Sequence, residues 1–240
     1  MNIHVRVVSP VTTHDPRTHD LLRQLASPGV VLDAVEIDEG PQSIECEADE
    51  ALAIPDTLRK IVAAERAGVD AVVIDCMGDP GLAAARKQVR IPVLGPSEVS
   101  MHTAAMLGDR FAIVTVVETV RPAFERLCRD YGMQERVASM RAIGVPVLDI
   151  ERNPGLVEQL LCEESLAAVE QDGASVVVLG CTGFLGVADS IAKYLCERTG
   201  GYVPVIDPIP LSVYTAIAWV RGRLRQREAG PRGELLGKSQ

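Results

Sequence analysis

Aromatic residues are scarce in this chain: phenylalanine, tryptophan and tyrosine make up 3% of 240 residues, with one tryptophan. A surface that stacks nucleotide bases needs aromatics interleaved with basic side chains. The formal net charge of -9 also opposes a phosphate backbone or an anionic lipid surface. Neither nucleic acid nor membrane is expected as a partner, and a small molecule is favoured. No apolar run reaches the ~20 residues that span a bilayer. The opening stretch is short and interrupted by Arg6 and Pro10, unlike a secretory leader, so a cytoplasmic protein is expected. The six cysteines form no Cys-x-x-Cys pair and none stands at zinc-ligand spacing from a histidine. No disulfide framework and no metal centre are expected.

What the chain does have is a core, with 47% apolar residues, and apolar runs that alternate with helical patterns. Strands are predicted near 3–8, 32–37, 71–75, 91–94, 111–117, 138–143, 175–180 and 203–206. Buried β-branched strands separated by helices indicate an α/β chain with parallel sheets. An internal repeat organises it. Gly68 to Gly78, ending Asp75-Cys76-Met77-Gly78, lies over Gly173 to Gly183, ending Gly180-Cys181-Thr182-Gly183, 105 positions apart. Ile91-Pro92-Val93-Leu94-Gly95-Pro96 matches Val203-Pro204-Val205-Ile206-Asp207-Pro208, 112 positions apart. Each half is expected to be one lobe with a four-stranded, mainly parallel sheet: 1–97 with 209–240, and 98–208. The tail from Arg221 onward carries six basic and two acidic residues and is expected to be solvated.

Cys76 and Cys181 each end a buried strand and precede a turn of small residues, the position where open α/β sheets place their ligands. Asp79 and Pro80 suit the start of a following helix, leaving Met77 and Gly78 as a tight turn. Free amides and the positive end of that helix are expected to lower the thiol pKa below the usual ~8.5. Gly78 and Gly183 let backbone approach a ligand. Cys46, Cys128, Cys162 and Cys196 fit the ordinary role of cysteine as a small buried hydrophobe. If the lobes face each other about a pseudo-twofold axis, the two repeated thiols converge on one cleft. That arrangement suits removal of a proton from one face of a carbon and delivery to the other.

These residues resemble the aspartate/glutamate/hydantoin racemase superfamily, and within it the hydantoin racemase-like branch. The resemblance spans nearly the whole chain. It is most specific over Gly40-Pro41-Gln42-Ser43-Ile44-Glu45, Asp49 to Ala53, Cys76-Met77-Gly78-Asp79-Pro80-Gly81-Leu82-Ala83-Ala84-Ala85-Arg86 and Gly180-Cys181-Thr182-Gly183. It implies two Rossmann-like lobes related by a pseudo-twofold axis, with the active site in the cleft between them. It further implies no pyridoxal phosphate and no metal, with Cys76 and Cys181 as the two bases. Backbone amides of the turns at Met77, Gly78, Thr182 and Gly183 would hold the substrate oxygens. The superfamily's amino-acid racemases usually carry Asp-Ser-Gly near the start and a histidine after the second Cys-Thr. Here stand Ser9-Pro10-Val11-Thr12-Thr13 and Gly183, which disfavours free aspartate or glutamate. Hydantoin and allantoin racemases usually show Asn-Pro-Asn-Thr in the first loop, where Ser9 and Val11 replace both asparagines. Cys46 and Glu47 stand where Gly and an aromatic usually follow Ser-Ile-Glu.

Further candidates share the cleft loops: Ser9 and Thr12 after the first strand, and Thr115 and Glu118 after its counterpart, as substrate contacts or loop caps. His14 and His19 read as a solvated helix start, and His102 as packing. Asp75 and Asp207 end strands beside the cleft, where either could shift a thiol pKa. No lysine lies in the strand-end motifs, no phosphate loop is present, and no basic residue was found in the cleft loops, which suits a neutral cyclic ureide. The expected activity is cofactor-independent racemisation of a hydantoin-like ring, by a homo-oligomer. The alternatives are an amino-acid racemase, an enzyme resembling maleate cis-trans isomerase, or a non-catalytic small-ligand binding module.

Overall fold

The structure, a computed structural model, describes residues 2–227. Strands β1 (Ile3–Ser9), β2 (Val30–Glu36), β3 (Ala71–Ile74) and β4 (Val93–Leu94) form one parallel sheet in the order β2-β1-β3-β4. Strands β5 (Phe111–Thr115), β6 (Val137–Ala142), β7 (Val176–Leu179) and β8 (Val205–Ile206) repeat that order as β6-β5-β7-β8. All eight strands stand where the apolar runs predict them, with ends shifted by one or two residues. The last strand of each sheet starts later than predicted because Pro92 and Pro204 have no N–H to enter the ladder. Their carbonyls still accept from Val72 and Val177, both at 2.9 Å.

Eight α-helices cover the sheets: α1 (Pro16–Leu25), α2 (Glu47–Arg66), α3 (Leu82–Gln88), α4 (Pro96–Leu107), α5 (Arg121–Asp130), α6 (Pro154–Glu170), α7 (Ala188–Thr199) and α8 (Pro208–Arg221). Every residue of β3 and β7 is buried, which is why both read as unbroken β-branched runs. Leu22 of α1 with Ile209, Val213 and Ile217 of α8 packs one face of the first sheet. Ile61 of α2 and Leu82 of α3 pack the other. In the second lobe Met101 of α4 and Phe124 of α5 cover one face, and Leu161 of α6 and Leu195 of α7 the other. The final helix therefore lies on the first sheet while α4 lies on the second, and α4 and α8 pack against each other.

The residue expected to cap the helix after Cys76 does something else. Helix α3 begins at Leu82, and Gly81 before it is left-handed with φ 72°. Asp79, itself at φ 48°, turns instead to the start of α4, where it accepts from the amides of Ser97 at 3.1 Å and Glu98 at 3.0 Å. It also accepts from the hydroxyl of Tyr131, just past the end of α5, at 2.7 Å. In the second copy the cap of α8 comes from Asp207, which accepts from the Ile209 amide at 3.4 Å. The repeat position matching Asp207 is Gly95, and a Cβ there would sit 2.6 Å from Asp79 Oδ1. Gly95 is small because the carboxylate of Asp79 occupies its side-chain space. Burial pushes Asp79 up to about 7 and Asp207 up to about 6.

The start of the basic tail is docked rather than solvated. The Gln226 side chain accepts from the Val93 amide at 3.2 Å and donates to the Val93 carbonyl at 2.8 Å, satisfying backbone groups on β4 that no strand meets. Residues 228–240 lie outside those described.

Gly95→Ala is expected to lower the unfolding free energy by about 2–3 kcal/mol through loss of the cap and overpacking. Gly201→Ala, where an added Cβ meets nothing within 4 Å, is expected to stay within about 0.5 kcal/mol of the parent. Chemical denaturation of both variants measures the difference.

Candidate active site

A cavity of about 250 Å³ opens between the carboxyl ends of the two sheets. Cys76, Met77 and Gly78 from the first lobe and Cys181, Thr182 and Gly183 from the second lie in its wall, together with Ser9. The two turns are built alike. The Gly78 amide donates to Cys76 Sγ and the Gly183 amide to Cys181 Sγ, both at 3.4 Å. Asp79 N donates to the Cys76 carbonyl at 3.0 Å, and Phe184 N to the Cys181 carbonyl at 3.2 Å. The Thr182 hydroxyl crosses between lobes to the Asp75 carbonyl at 3.3 Å.

The thiols are not acidified in this state, contrary to the sequence-based expectation. Burial pushes Cys181 up to about 12 and Cys76 further still, against the smaller lowering effect of the glycine amides. The helices that should have supplied a positive end begin only at Leu82 and Ala188, well past the sulfurs. The nearby Cys181 adds to the rise at Cys76, and the charge of Asp75 raises both thiols. Asp75 lines the cavity and is itself pushed up to about 6 by burial.

Three candidates stand outside the wall. Thr12 donates from its amide and hydroxyl to the Pro41 carbonyl, at 2.9 and 3.3 Å, and is a loop tie. Thr115 is buried and donates to the Gly180 carbonyl at 3.0 Å, so it supports the strand end before Cys181. Glu118 is exposed and paired with Arg121 at 2.7 Å. The amides expected to hold substrate oxygens divide in two. Those of Gly78 and Gly183 donate to the sulfurs, while those of Met77 and Thr182 donate to no other described residue.

Several wall residues are not among the site candidates that the sequence points to. Arg17 of α1 lines the cavity, so the cleft does hold a cation; it pairs with Asp15 at 2.8 Å and with Glu151 of the second lobe at 2.7 Å. Glu50 of α2 lines it beside Gly78 and accepts from Arg126 of α5 at 2.7 Å. Val147, Leu148 and Ile150, on a short 3-10 turn (Val147–Arg152), add an apolar wall. His14 lies at the rim beside His19 and Glu36, and the His102 ring packs 6.4 Å from that of Tyr131.

Two α/β lobes of the same topology, each presenting a Cys-x-Gly turn to one shared cleft, define an enzyme of the racemase type. The model of the Asp/Glu/Hydantoin racemase family matches residues 7–216, and the chain belongs to that family. It is 40% identical over 211 residues to a hydantoin racemase of Pseudomonas sp. (strain NS671), covering 87% of this chain and 82% of the relative. Among solved structures it is similar to allantoin racemase from Klebsiella pneumoniae, at 33% identity and TM-score 0.86, covering 97% of this chain and 95% of that one. Allantoin racemase from Pseudomonas fluorescens superposes with TM-score 0.87 at 27% identity, covering 96% of this chain and 99% of the other.

With Cys181 at about 12, alkylation of this thiol in the ligand-free protein is expected to accelerate about tenfold per pH unit from pH 7 to beyond pH 9. Exposed Cys196 is expected to react faster than either cleft thiol at pH 7. In Asp75→Asn the Cys181 profile is expected to move to lower pH, since a nearby negative charge is removed. Mass-spectrometric peptide mapping over a pH series reads all three outcomes.

Proposed function

We propose that the protein is a cofactor-independent racemase of hydantoin-like cyclic ureides, 5-substituted hydantoins or allantoin, in which Cys76 and Cys181 transfer the proton. The carrying observation is that two equivalent thiols, one from each lobe and each at a Cys-x-Gly turn, line one cavity. The hydantoin and allantoin racemases that the chain resembles support the substrate class. On this reading it works in the cytoplasm on a free small molecule. In support, no helix among the described residues is long and apolar enough to cross a membrane. A homo-oligomer is part of this reading, with Met106 of α4 and Tyr214 of α8 exposed and available to a second copy.

One sulfur, as thiolate, takes the hydrogen from the ring carbon next to the carbonyl. The electron pair left on carbon delocalises onto the carbonyl oxygen, where the amides of Met77 and Thr182 can donate to it. The other sulfur, as thiol, gives its proton to the opposite face. The product has the mirror configuration, and the protonation states of the two sulfurs are exchanged. A raised thiol pKa fits this chemistry. The thiolate is scarcer but a stronger base, better matched to a weakly acidic carbon. The ring carbonyl and adjacent nitrogen acidify that carbon, so no pyridoxal electron sink is required.

Cys76→Ser and Cys181→Ser are each expected to lose racemisation by about 10²–10⁴-fold. Residual solvent-deuterium exchange is expected on opposite enantiomers in the two variants, because each keeps the base for one face. Chiral chromatography with deuterium counting on a hydantoin in heavy water measures both. Exchange of the same enantiomer in both variants, or racemisation at the parent rate in either, would exclude opposed cysteine bases.

A further inference from the structure

We infer that His14, His19 and Glu36 form a binding site for a divalent transition cation at the rim of the cleft, separate from the thiols. The three side chains come from three different elements: the loop after β1, the first turns of α1, and the last residue of β2. One donor atom from each lies within 4.8 Å of the other two. His14 Nδ1 is 2.6 Å and His19 Nε2 3.8 Å from the same Glu36 oxygen, and the two imidazole centroids are 5.1 Å apart. Ligands about 2.1 Å from one tetrahedral ion sit roughly 3.4 Å from each other. Side-chain rotation of about 1 Å therefore closes the set around an ion without moving backbone.

The backbone on both sides of His14 is already fixed. The Thr13 hydroxyl donates to the Gln42 carbonyl at 2.7 Å, and Asp15 accepts from the Arg17 amide at 2.9 Å to start α1. Ser9 and Glu36 are register partners at the ends of β1 and β2. Two imidazoles and one carboxylate select Zn2+, Co2+, Ni2+ or Cu2+ over Mg2+ or Ca2+, which take oxygen ligands. Three protein ligands leave a position open for water. The site faces solvent, since the His14 side chain is 61% exposed, and His14 also lines the cavity. An ion there places positive charge on the substrate's way in, while the proposed proton transfer itself uses no metal.

Titrating the full chain with Co2+ in the presence of excess Mg2+ is expected to show one ion per chain, with visible ligand-field bands and no thiolate-to-cobalt charge-transfer band. His19→Ala and Glu36→Gln are each expected to weaken that binding by about 10-fold or more. Proton NMR of the unaltered protein gives a readout independent of any variant. Of its four histidines, the ring signals of His14 and His19 are expected to move with Zn2+ while those of His4 and His102 stay. No binding, a thiolate charge-transfer band, unchanged affinity in both variants, or ring signals that do not respond to Zn2+ would each overturn the assignment.

Discussion

The buried carboxylate of Asp79 holds together the parts on which the site depends. Its own amide fixes the Cys76 carbonyl, its oxygens cap α4, and the Tyr131 hydroxyl reaches it from the second lobe. Burying a charge costs several kcal/mol unless it is met by donors, and here three donors converge on it. One residue thus ties the Cys76 turn, a helix terminus and the opposite lobe into a single unit. The left-handed backbone at Asp79 and the bare Cα at Gly95 are the local concessions that make room for it.

Around two matching thiols the surroundings are unequal. The position before Cys76 is Asp75, whereas before Cys181 it is Gly180, where a Cβ would lie 2.7 Å from that of Thr115. Gly78 faces the Glu50 carboxylate, and Gly183 faces the methyl end of Ile150. One side of the cleft is acidic and the other apolar. Whatever enters between the two turns meets a carboxylate on one side and the apolar turn at Val147–Arg152 on the other.

Much of this was legible because the chain repeats itself. The coincidence of Cys76 with Cys181, and of Gly78 with Gly183, marks the turns in the sequence itself, and the alternation of β-branched runs marks the sheets. The thiol pKa is not legible, since the sequence does not reveal how far a helix lies beyond a turn, and burial outweighs the amide bond at each sulfur. The role of Asp79 is hidden because the cap differs between the copies: one helix takes it from the turn after the cysteine, the other from the end of the last strand. Thr115 read as a cleft residue since strand ends usually are, yet its hydroxyl turned inward to Gly180. Arg17, Glu50 and Leu148 come from a helix face or an irregular turn, and neither carries a periodic signal that points to a cavity.

The two short strands have a bearing on colloidal behaviour. A sheet margin with unpaired backbone groups is a template for cross-chain pairing and aggregation. β4 and β8 each offer only two residues, follow a proline and lead at once into a helix, and on β4 the Gln226 amide occupies the groups of Val93. At the opposite margins, Asp33 on β2 is held by His4 and Arg6, and Arg141 on β6 by Asp172 and Glu164. Brevity limits the free backbone at one border of each sheet, and charged pairs stand at the other, the two devices by which open sheets resist edge-to-edge pairing.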